Sequence, residues 1–76
     1  FENALRLQGV TVGQNITARI FRNVFRATSG NGPSYIPNGG VGNFRFVDNE
    51  IVAGSGGADA AFQAAVTFAR DNENYP

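Results

Sequence analysis

Three arginines, Arg19, Arg22 and Arg26, stand three and four residues apart in this chain. Guanidinium forks at that spacing share one face of a helix, where they suit bidentate contact with carboxylates or phosphates, or simply solvate the outer surface. Gly54-Ser55-Gly56-Gly57, ahead of a helical pattern, offers backbone N–H groups to an anion. No Lys follows to complete a P-loop. Asp59 stands where a dinucleotide fingerprint wants a small residue, and its charge repels phosphate. The plainer reading is a strand-to-helix turn in which Asp59 complements the helix dipole. Asp48 and Glu50 lie in a tight turn, two carboxylates where a calcium site needs six or more oxygens. Nothing spaces a carboxylate pair across a cleft for glycosidic chemistry.

All six basic residues are Arg, and His, Cys and Lys are missing. The common general base, the thiolate, the Schiff-base amine and the usual zinc ligands are therefore lacking, so the expectation is a protein that is not an enzyme, with no metal or cofactor. Without Cys there is no disulfide, and the compartment stays open. The six arginines are balanced by six carboxylates, which gives no basic surface for nucleic acid. No apolar run approaches the roughly 18 residues of a membrane span, and no secretory leader is evident. The chain opens on Phe1 and not Met, which implies trimming or an upstream region. Asn15-Ile16-Thr17 fits the glycosylation pattern, a match expected about once by chance in so Asn-rich a chain.

The elements that would position these groups fit one small domain over 1–76. Leu5 and Leu7, then Val10 and Val12, alternate across Ala4 to Val12, a strand interrupted at Gly9. Asn15 offers an N-cap, and Ile16, Ile20 and Val24 recur every fourth residue beside Phe21 and Phe25, which predicts a helix over 16–28 with the arginines on its far side. The β-branched and aromatic content of that segment favours strand. A turn-rich stretch from Ser29 to Gly42 reads as a long loop, and Tyr35 and Ile36, its largest apolar groups, make it a candidate contact surface. Phe44 to Val47 and Glu50 to Ala53 flank Asp48-Asn49 as a hairpin. The Ala-rich arc from Ala58 to Ala69 predicts a second amphipathic helix, and 72–76 should fray. The fold class is then α+β: a β-α-β-β-α domain with a short antiparallel sheet and two amphipathic helices.

A second organisation competes. Arg19 to Gly30 and Arg45 to Gly56 align without a gap at an offset of 26, sharing Arg, Asn23 with Asn49, Ala27 with Ala53, Ser29 with Ser55, and Gly. Such a period suggests a short β-solenoid fragment with a C-terminal helix; against it, partial matches arise by chance in a chain biased toward Gly, Asn, Ala, Arg and Phe, and the stacking would place Glu50 over Val24. No third repeat follows the same spacing.

Seven Phe in an uncross-linked chain of this size exceed what its own interior should hold, so part of the apolar surface is expected to face a partner. Residues 1–40 carry net +3 and residues 41–76 net −3, which suits head-to-tail contact between copies. The expected function is a structural or accessory subunit of a larger assembly, self-associating through Arg19, Arg22, Arg26, Tyr35 and Ile36. The alternatives are a binding module for an acidic protein, glycan or phosphate ligand, or a fragment of a carbohydrate-active solenoid whose aromatic and Asn side chains line a sugar-binding face.

Overall fold

In the computed structural model, which describes residues 4–76, Ile16, Ala18 and Ile20 turn inward while Thr17, Arg19 and Phe21 face solvent. That alternation is a strand's, and it replaces the helix expected over 16–28. The spacing of four between Ile16 and Ile20 is twice the strand period, so it serves both geometries. Arg22 then takes a left-handed conformation, φ 59°, and shifts the phase. Phe25 is buried beyond it, while Phe21 and Val24 stay outside, so the adjacent apolar pairs need no second burial surface.

Among the described residues the strands are β1 (Leu5–Gln8), β2 (Ile16–Phe21), β3 (Val24–Phe25), β4 (Pro33–Ile36), β5 (Gly42–Val47), β6 (Glu50–Ile51) and β7 (Val66–Arg70), with one helix, α1 (Ala60–Ala65), before β7. All the ladders are parallel: β1 with β4, β2 with β5 and β5 with β7, and β3 with β6. The chain therefore winds as a coil, each turn laying its strands on those of the turn before. Arg19 pairs with Arg45 and Val24 with Glu50, which is the 26-residue offset read from the sequence.

The α+β assignment is overturned in each of its parts. No antiparallel sheet joins β5 to β6, because Asp48-Asn49 is a corner and both strands pair with the first turn. Strand β1 ends at Gln8, leaving Val10 and Val12 exposed in the connection that follows. Strand β4 runs through the middle of the 29–42 segment. Of the helix expected over 58–69, only Ala60–Ala65 is helical; the strand formers Val66, Thr67 and Phe68 follow in β7, and Val66 is already extended at ψ 116°. The short helix is therefore not C-terminal either.

Aromatic rings fill the coil. Phe44, Phe46 and Phe62 have no exposed surface. Phe44 meets Tyr35 at 5.0 Å and Phe62 at 5.3 Å between centroids, and Phe46 meets Phe25 at 5.7 Å, Phe62 at 5.4 Å and Tyr75 at 4.8 Å. Much of the Phe content thus lies in the core, each ring burying large apolar area and gaining from edge and offset contacts. Helix α1 packs on β4 where the third turn would otherwise add a strand, and inserts Phe62 between the rings of the second. Where fraying was expected, Asn72 Nδ2 donates to the Phe46 carbonyl at 2.8 Å and Asn74 Nδ2 to that of Ile51 at 2.9 Å.

Candidate functional site

The most regular polar feature of the coil is the corner after its central sheet. Arg22, Asp48 and Asp71 occupy it in successive turns, all left-handed at φ 59°, 59° and 58°. A non-glycine residue pays of order 1–2 kcal/mol for that conformation, which hydrogen bonds between turns offset. The Arg22 N–H donates to the Val47 carbonyl at 3.2 Å, and the Asp48 N–H to that of Arg70 at 3.0 Å.

Each corner residue is followed by an asparagine, and the three form a ladder. The Asn23 N–H donates to Asn49 Oδ1 at 2.9 Å, and the Asn49 N–H to Asn72 Oδ1 at 2.9 Å. In return, Asn49 Nδ2 donates to the Ile20 carbonyl at 2.8 Å and Asn72 Nδ2 to that of Phe46. A planar amide can give and take at once, which is why it suits a position where backbone groups of two turns must both be satisfied. Asn49, in the middle, is only 2% exposed. Below the ladder, Val24, Glu50 and Glu73 stack in the same order.

The ends of this ridge differ in charge. Among residues 4–31 the first turn carries Arg6, Arg19, Arg22 and Arg26 and no carboxylate, whereas the third carries Asp59, Asp71 and Glu73 against Arg70. Over the first turn opens a cavity of about 440 Å³, lined by Leu5, Leu7, Ala18, Ile20, Val24 and Phe25 together with Arg19 and Asn23. On the third turn Phe62 and Tyr75 pack against Phe46, and burial there raises the Tyr75 hydroxyl above its ordinary pKa.

The three arginines singled out in the sequence do not form one stripe. Arg19 lies on the outward face of β2 beside Arg45, Arg22 is in the corner, and Arg26 follows β3 in the segment facing Ser55. Tyr35 is buried at 4% exposure, while its neighbour Ile36 is 40% exposed. Gly54-Ser55-Gly56-Gly57 is occupied by contacts between turns: the Ala27 N–H donates to Ser55 Oγ at 2.6 Å, and the Gly56 N–H to the Ala27 carbonyl. The start of α1 is served by Asp59, whose Oδ1 accepts from the Phe62 N–H at 2.6 Å and whose Oδ2 accepts from the Tyr35 N–H at 3.3 Å. Among the described residues, no three His, Cys, Asp or Glu side chains gather as a metal site, and no helix is long and apolar enough to cross a membrane.

Sequence reasoning noted the Asn23 and Asn49 match but missed Asn72, which completes the ladder. No protein family, characterised protein or solved structure matches this chain.

Proposed function

We propose that the protein is a non-enzymatic structural subunit whose copies stack head to tail, the third turn of one coil laid on the first turn of the next. The observation that carries this reading is the open first turn, with a cavity over Leu5, Leu7, Ile20 and Phe25, bordered by Arg19 and Asn23, beside an edge of β2 that pairs with no other strand among the described residues. Exposed edges of this kind are templates for another strand, and apolar side chains at a coil's end need a cover. Continuing the register puts Asp71 of one copy against Arg22 of the next. The Asn72 N–H then faces Asn23 Oδ1, extending the ladder across the joint. Such a contact is heterologous, so it propagates and does not close as a two-fold dimer. The apolar joint supplies affinity, while the exposed Arg22–Asp71 pair, worth about 0–1 kcal/mol, sets orientation.

Sedimentation equilibrium over a wide concentration range tests this. Weight-average mass should climb through dimer and trimer without a plateau. A constant monomer mass at every concentration would end the proposal.

A further inference from the structure

We infer a second feature: the outward face of β2, β5 and β7 is a binding site for an acidic oligosaccharide. Arg19 and Arg45 lie in register on neighbouring strands of that face, about 4.8 Å apart. Like charges so placed repel. Among the described residues neither has a carboxylate within 4.0 Å; the ion pair there is Arg70 Nε with Asp71 Oδ2, at 3.2 Å. Two exposed, uncompensated guanidinium groups side by side are matched by a ligand carrying oxyanions along its length.

The third strand shapes how the arginines are presented. Phe68 pairs in register with Arg45, whose guanidinium carbon sits 4.3 Å from the ring centroid. That contact holds the guanidinium over the ring, and its N–H donors suit a carboxylate or sulfate. A groove of about 470 Å³ runs beside Arg45 between Phe68 and Phe21, which are 37% and 45% exposed. These rings suit the apolar face of a sugar. Two residues back along the strands, Thr17 and Asn43 are exposed in register, and Asn43 Oδ1 accepts from Thr67 Oγ1 at 2.6 Å. Anion forks, aromatic surface and amide or hydroxyl partners on one flat face fit a ligand that combines oxyanions with hydroxyls. Asp48 and Asp71 line the corner end of the groove together with Arg22 and Arg70, so anion contact is assigned to Arg45 and its in-register neighbour Arg19, beyond that corner.

Titration calorimetry of the full chain at low salt would use four probes: an oligouronate, a sulfated oligosaccharide, a neutral oligosaccharide of similar length and a single-stranded oligonucleotide. Binding of the oligouronate or the sulfated probe, with the neutral one at least tenfold weaker, is expected, and the tighter acidic probe identifies the oxyanion. Arg19→Gln with Arg45→Gln should weaken that binding tenfold or more, Arg45→Lys should weaken it less, and Arg26→Gln, off this face, should leave it unchanged. A circular dichroism spectrum like the parent's confirms that the variants fold. Binding of neither acidic probe, equal binding of the neutral one, tighter binding of the oligonucleotide, or an equal loss in Arg26→Gln would overturn the inference.

Discussion

Asn49 Oδ1 accepts the backbone N–H of Asn23 at 2.9 Å, while Asn49 Nδ2 donates to the Ile20 carbonyl at 2.8 Å, so one side chain fastens two turns of the coil from both sides. Replacing it leaves buried backbone groups of the first turn without partners, at about 1–3 kcal/mol each. Asn49→Ala should therefore cost about 2–4 kcal/mol in urea denaturation. Asn23→Ala, at the exposed end of the ladder, should cost under about 1 kcal/mol, because the Asn23 N–H keeps its bond to Asn49. Equal losses in the two variants would mean that the ladder does not join the turns.

Close approach of the turns also fixes glycines, Gly40 and Gly56 most tightly. A Cβ on Gly56 would collide with the Gly30 carbonyl, whereas one on Gly57 meets nothing within 4 Å. Gly56→Ala should cost about 1–3 kcal/mol through displaced backbone, while Gly57→Ala should stay within about 0.5 kcal/mol of the parent. Thermal denaturation of the two variants side by side checks this, and equal midpoints would contradict the packing of these turns.

Tyr75 supplies a pH signature. Its hydroxyl pKa is raised by burial beside Phe46, so the folded chain holds the proton that the unfolded chain releases near pH 10. The stabilisation is fully present below that value and is lost as pH rises through the folded pKa. Denaturation midpoints should fall from about pH 10 upward, and Tyr75→Phe should flatten that fall. An unchanged alkaline decline in Tyr75→Phe would remove Tyr75 from the third turn's cap.

How far the sequence spoke for itself follows from particular residues. The gapless match of Arg19–Gly30 with Arg45–Gly56 gives the register of the first two turns, since strands of equal length stack with equal spacing. The third turn escaped notice because Asn72 follows Asn49 by 23 residues and not 26, and the register shifts between Phe44 and Arg45 where they meet β7. It was further masked by Ala60, Ala61, Ala64 and Ala65, which form a true helix that hands directly to a strand. The helix expected over 16–28 arose from the spacing of Ile16, Ile20 and Val24, which a left-handed residue at Arg22 imitates by shifting a strand's phase. The arginines were visible from the start. Their separation onto a sheet face, a corner and the segment after β3 depends on the coil, and no helical wheel contains it.

Head-to-tail stacking is tested most directly by reversing the charge at each end separately. Asp tolerates the corner conformation at Asp48 and Asp71, as Arg does at Arg22, so Arg22→Asp and Asp71→Arg should both fold. Arg22→Asp then presents acidic residues at both ends and Asp71→Arg basic ones, so each alone should sediment as smaller species than the parent at low salt. Mixed in equal amounts they alternate, every joint regains an Arg–Asp pair, and the mixture should sediment as larger species than either variant alone at the same total concentration. If the mixture sediments as the simple average of its components, copies do not stack through these ends.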